Sequence, residues 1–156
     1  MSMPNNEIIT HLTAKPGDPT RIKTNFNNKV AVYIADDSLE VRKRLVELVL
    51  SLEGDRWEIH TGQSETILLD IQKYKPDLAI LDIEKPNGIQ ILKSIKSLKK
   101  APLVIILTAF PSPQYRKRCF LAGVDYFFDK TNEFKWVVDV LENQATLKNF
   151  VMGMDR

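Results

Sequence analysis

The sequence predicts an α/β protein, a doubly wound parallel sheet of five strands covered by five helices, and two observations carry that prediction. From Lys29 onward, short continuous apolar runs alternate with longer segments of helical period. The apolar runs are unbroken rather than alternating, which is how strands buried on both faces of a parallel sheet read.

Taken in order, the first strand is Val30 to Ala35, and Val41, Leu45, Leu48 and Leu52 then recur at helical spacing. A weaker strand at 57–61 precedes a helix marked by Ile67, Ile71 and Tyr74. Leu78 to Leu81 forms the third strand, followed by Ile91, Ile95 and Leu98 on the third helix. The fourth strand covers 103–107. Its helix runs over about 113–122, carries its apolar residues late, and has Gly123 placed to end it. A fifth strand at 126–128 leads to a last helix marked by Phe134, Val137, Val138 and Leu141.

The 156 residues fit one domain. Residues 1–28 are rich in Asn, Thr, Pro and Gly and read as a flexible extension; 29–147 form the domain, and 148–156 a short tail with no output domain. At 44% hydrophobic and 27% charged, the composition is that of an ordinary globular protein. The apolar runs are too short to cross a bilayer and no basic segment with a following apolar stretch opens the chain, so a cytoplasmic location without membrane contact is expected. A single cysteine, Cys119, excludes an intramolecular disulfide and disfavours a cysteine-based metal site. Net charge is +2 with acids and bases interspersed, so direct nucleic-acid binding is not implied. The basic stretches at 93–100 and 116–118 read as a solvated helix face and the end of a helix.

In such a sheet, ligands bind beyond the carboxyl ends of the strands, near the point where strand order reverses. Four of the five strands finish there in a polar residue: Asp36 and Asp37 after the first, Asp82 after the third, Thr108 after the fourth and Lys130 just beyond the fifth. Each alone has an ordinary explanation, such as helix capping by Asp36 or Asp37 or solvation of Lys130. Their convergence on one edge, drawn from the apolar runs alone, favours a site. Three carboxylates without histidine suit Mg²⁺, which keeps several waters and takes one or two carboxylates plus phosphate oxygens. A hydroxyl, an ammonium and a divalent cation can hold the oxygens of a transferring phosphoryl group, and a carboxylate can act as its nucleophile.

These residues resemble the receiver domain of two-component response regulators. The acidic pair in VYIADDS, the acid in PDLAILDIEKP, the hydroxyl in LVIILTAF and the lysine in AGVDYFFDK stand in that family's order, and the resemblance covers about 29–144. It implies a flavodoxin-like fold of strand order 2-1-3-4-5. It implies that Asp82 is phosphorylated and that Asp37, Asp82 and the carbonyl of Glu84 hold Mg²⁺, with Asp36 assisting through water. It also implies that Thr108 and Lys130 bind the phosphoryl oxygens, that the small Ala109 leaves room for them, and that Phe127 is the aromatic that turns inward as Thr108 moves.

The implied partners are a sensor histidine kinase or phosphotransfer protein as donor and a downstream protein target, with self-association of the phosphorylated form left open. The fourth helix, fifth strand and fifth helix form the expected output face. Three departures from the family pattern stand out: Gly88 arrives two residues early, which shortens the loop over the site; Thr131 replaces the proline that commonly follows the lysine, so a trans peptide is expected there; and Pro111 and Pro113 stiffen the segment after Thr108.

Two other functions share part of this pattern. A haloacid-dehalogenase-type phosphatase uses similar groups, but in that family the nucleophile precedes the acids, whereas Asp36 and Asp37 come first here. A binding module that uses the fold without phosphorylation would have little need of the complete set of polar residues.

Overall fold

The computed structural model describes residues 29–154, and the extension expected at 1–28 lies outside the described residues. The strands are β1 (Val30–Ala35), β2 (Trp57–Gly62), β3 (Leu78–Leu81), β4 (Leu103–Thr108) and β5 (Tyr126–Asp129). The helices are α1 (Leu39–Leu50), α2 (Ile67–Tyr74, preceded by a single 3₁₀ turn), α3 (Gly88–Lys96), α4 (Pro113–Leu121) and α5 (Trp136–Met154). All strand pairs are parallel and the sheet order is β2-β1-β3-β4-β5, as expected.

Alternation along the strands divides the core between the two faces of the sheet. Tyr33, Ala35, Ala79, Leu81, Val104, Ile106 and Phe127 face α2, α3 and α4, where Ile67, Ile71, Leu92, Ile95 and Cys119 meet them. Val32, Ile34, Leu78, Ile80, Ile105 and Leu107 face α1 and α5 through Leu45, Val49, Val137, Leu141 and Ala145. Burying such side chains contributes about 1.5–3 kcal/mol each relative to exposure, so the two clusters are what hold the sheet edge in place.

Helix ends follow local chemistry. Ser38 and Ser112 cap α1 and α4 by accepting from the amides of Val41 and Tyr115. Gly123, at φ +100°, closes α4 in the left-handed conformation that favours glycine. Leu52 and Leu98 fall just past the helices they were expected to mark. One boundary is corrected: the last helix runs to Met154, so residues 148–154 continue α5 rather than forming a separate tail. Val137, Leu141 and Ala145 keep a four-residue spacing of buried positions, and no proline follows to break the helix. Among the described residues, no helix is long and apolar enough to cross a membrane.

Candidate functional site at the carboxyl edge of the sheet

Parallel register builds the site. Ala35 of β1 pairs with Leu81 of β3, so the next residues, Asp36 and Asp82, leave the sheet side by side. The Asp82 amide donates to the Ala35 carbonyl at 3.0 Å, extending the ladder by one step. On the other side Leu81 pairs with Ile106 and Thr108 with Asp129, and the Lys130 amide donates to the Thr108 carbonyl at 2.8 Å. Asp36, Asp82, Thr108 and Lys130 are therefore neighbours because three buried strands and the edge strand β5 end close together.

Lys130 joins the acids. Its Nζ lies 2.6 Å from Oδ2 of Asp36 and 2.6 Å from Oδ2 of Asp82. Asp36 is only 4% exposed, and a carboxylate so buried needs partners. It has them in Lys130 and in the Ser38 amide, which donates to Oδ1 at 2.9 Å. Burial works against the Lys130 charge, but its hydrogen bonds to Asp36 and Asp82 outweigh that and hold its pKa above the ordinary value. A raised lysine favours folding fully below its unfolded value, and that contribution is lost as pH rises through the folded one.

Asp37 turns away from this pair. Its Oδ1 accepts from the Ser64 amide at 3.0 Å and its Oδ2 from the Ser64 hydroxyl at 3.1 Å, while Lys85 forms an ion pair with Oδ2. Lys85 first, then Ser64, pull the Asp37 carboxyl down to about 2, against a smaller upward push from burial. The sign follows from linkage: a depressed carboxylate favours the fold above its unfolded value, near 3.9, and this is lost as pH falls from about 4 to about 2. Both side chains are over a third exposed, so solvent screening keeps the contribution to stability small. Carbon-13 NMR of the metal-free protein should place the Asp37 midpoint near 2, and Lys85→Met should move it toward the ordinary carboxylate value; an unmoved midpoint would refute this account.

Thr108 is fully buried, and its Oγ1 donates to Oε2 of Glu84 at 3.2 Å while accepting from the Phe110 amide at 3.1 Å. Glu84 also donates its amide to Oδ1 of Asp82 at 3.3 Å. Ala109 follows Thr108 at the exposed lip of the site. Phe127 is buried, packs edge-on against Tyr115 with ring centroids 5.6 Å apart, and has its carbonyl held by Arg116 at 3.2 Å. No peptide bond among the described residues is cis, so Lys130–Thr131 is trans. The loop after it is ordered instead by Asp129, whose carboxylate accepts from the Thr131 amide and the Asn132 side chain.

The expected metal ligands, Asp36, Asp37, Asp82 and Glu84, all reach this edge, but among the described residues no three acidic, histidine or cysteine side chains stand together as a cage. Lys130 holds one pair of acids and Lys85 the third. The donor chemistry still fits Mg²⁺, which needs only one or two carboxylates beside its waters, and two ammonium groups already gather where carboxylates concentrate negative charge. Lys85 and Ser64 had not been singled out from the sequence. Lys85 lies three residues after Asp82 and could have been suspected from the short loop, whereas nothing local marks Ser64 as a partner of Asp37.

A five-stranded parallel sheet of this order with polar residues at its carboxyl edge is the architecture of a receiver-type domain. The family model of the response regulator receiver domain matches residues 32–142, and the chain belongs to that family, the receivers of two-component signalling. It is 34% identical over 122 residues to a putative transcriptional regulator of Pseudomonas aeruginosa, covering 77% of this chain and 58% of that protein. It is 32% identical over 117 residues to the transcriptional regulatory protein YvfU of Bacillus subtilis, covering 72% and 57%. With the protein-glutamate methylesterase/protein-glutamine glutaminase of Clostridium acetobutylicum the identity is 29% over 106 residues, covering 65% of this chain and 31% of that protein. The chain thus spans about a third to somewhat over half the length of these relatives.

Among solved structures, a LuxR-family DNA-binding response regulator from Staphylococcus aureus superposes with TM-score 0.64 at 28% identity, over 74% of this chain and 98% of that one. The chemotaxis protein CheY4 of Vibrio cholerae, at TM-score 0.63 and 19% identity over 74% and 98%, shares the fold.

Proposed function

We propose that this chain is a phosphorylation switch whose acceptor is Asp82, with a phosphohistidine of a sensor kinase or phosphotransfer protein as donor. The observation that carries the reading is the placement of Asp82 between Lys130, 2.6 Å from its Oδ2, and the strand end bearing the Thr108 hydroxyl. An Asp82 oxygen would attack phosphorus, forming the P–O bond as the P–N bond breaks and its electron pair returns to the imidazole. Lys130 would keep its charge on the transferred group, and the Thr108 hydroxyl would turn from Glu84 to a phosphoryl oxygen, where Ala109 leaves room.

Asp37, Asp82 and the Glu84 carbonyl would hold Mg²⁺, with Asp36 reaching it through water. When bound, the ion would offset negative charge on the transferring phosphoryl oxygens.

Signal would leave through Thr108. Because the Phe110 amide donates to the Thr108 hydroxyl, drawing that hydroxyl toward a phosphate pulls on the loop carrying the exposed Phe110 and, beyond it, on α4. That contact is the differential interaction a population shift requires. Phe127 already lies inside the core, so on this reading it keeps the inward place and the loop makes the larger movement. The downstream partner would be a protein that reads the face of α4, β5 and α5.

Incubation with acetyl phosphate and Mg²⁺ should add one phosphoryl mass to the intact protein, and excess chelator should stop it. A receiver reacts stoichiometrically. An unchanged mass would end the acceptor reading, equal labelling in chelator would remove the metal from it, and sustained turnover of p-nitrophenyl phosphate would favour a phosphatase.

A further inference from the structure

The shortened loop between β3 and α3 carries a cation for which the family resemblance supplies no role. The Lys85 amide donates to the Ile83 carbonyl at 2.7 Å and the Gly88 amide to the Lys85 carbonyl at 2.9 Å. Two tight turns in succession bring Lys85 back over the sheet edge, where its ammonium meets Oδ2 of Asp37. Asp82 and Glu65 add to the negative field around it. Asp37 Oδ2 is thereby occupied on both sides, accepting from the Ser64 hydroxyl and pairing with Lys85, while Oδ1 accepts from the Ser64 amide. A divalent cation binding Asp37 through Oδ2 would need the position that the Lys85 ammonium takes. Lys130 cannot replace it there, since its ammonium is shared between Asp36 and Asp82.

We infer that Lys85 is a built-in competitor of the divalent cation for Asp37, so that metal binds Asp37 as the Lys85 side chain leaves, and that this residue lowers the metal affinity of the site. The inference rests on the metal-assisted acceptor reading above. Lys85 is suited to both states: its side chain is 41% exposed, its stem is flexible, and its ammonium is readily solvated once displaced. With the lysine in place the acidic edge is largely neutralised without metal. With metal in place the doubly charged ion takes over that task and Lys85 is released beside the phosphoryl site. An exposed ion pair shifts an equilibrium by at most about fivefold, which bounds the effect.

The test is Mg²⁺ titration by isothermal calorimetry, at fixed ionic strength and without phosphodonor, of wild type, Lys85→Met and Arg118→Met. Arg118 lines the same cavity as Lys85 but is not the ion-pair partner of Asp37, so it reports the general loss of one positive charge. Lys85→Met should bind Mg²⁺ about two- to fivefold more tightly than wild type, and Arg118→Met should match wild type. Equal affinities for wild type and Lys85→Met, or the same tightening in both variants, overturn the competition while leaving the metal site standing. Failure of every protein to bind Mg²⁺ overturns the metal reading and the inference together.

Discussion

Asp82→Asn is expected to abolish phosphoryl uptake outright while leaving the domain folded. An amide oxygen carries no charge and is not a nucleophile toward phosphorus at neutral pH, so the loss is complete rather than graded. Folding survives because the contact removed is one of two: Lys130 keeps its 2.6 Å pairing with Asp36, and the backbone bond from residue 82 to the Ala35 carbonyl does not depend on the side chain. Removing one of the crowded acids also relieves repulsion at the edge, which offsets the lost ion pair. Intact-mass measurement with acetyl phosphate and Mg²⁺ should show one added phosphoryl group on wild type and none on the variant, with closely similar thermal unfolding. Full labelling of the asparagine variant would transfer the acceptor role elsewhere, Asp36 and Asp37 being the nearest candidates.

What could be read from the sequence, and what could not, divides along a physical line. β1, β3 and β4 were legible because their burial on both faces demands unbroken apolar runs, as in Val30–Ala35 and Leu78–Leu81. Parallel register then follows from the fold, and with it the row of Asp36, Asp82, Thr108 and Lys130. Side-chain partners across loops were not legible. Ser64 reaches Asp37 from a turn beyond β2, 27 positions away, and Lys85 does so only because the turns after Asp82 double the chain back. α5 runs past the expected end because Leu147, Phe150, Val151 and Met154 keep a helical apolar spacing and nothing in 148–154 forbids a helix. The edge-on packing of Phe127 against Tyr115 and the hold of Arg116 on its carbonyl are likewise contacts that spacing alone does not encode.

The same doubled-back loop leads to the second large effect: Gly88→Ala should destabilise the domain by roughly 3 kcal/mol, the upper part of the range for forced overpacking. The φ angle at Gly88 is not the reason. A Cβ built there would lie 1.8 Å from the Ile83 carbonyl oxygen and 2.9 Å from its carbon, and these are backbone atoms that no rotamer change can move aside. Ile83 cannot retreat either, being 1% exposed and packed in the core beside Leu81 and Leu92. The loop would have to open, breaking the bonds from Lys85 to Ile83 and from Gly88 to Lys85 that close it. For a domain of this size such a loss lowers the unfolding temperature by about 10 °C. Gly123→Ala is the contrast: it strains a positive φ, but its nearest non-neighbouring atom is the flexible Lys96 side chain at 3.4 Å, so a cost of about 1 kcal/mol is expected. Differential scanning calorimetry of both variants decides the matter, and a Gly88→Ala protein that melts within a degree or two of wild type would mean that the loop over the site is far more yielding than this packing allows.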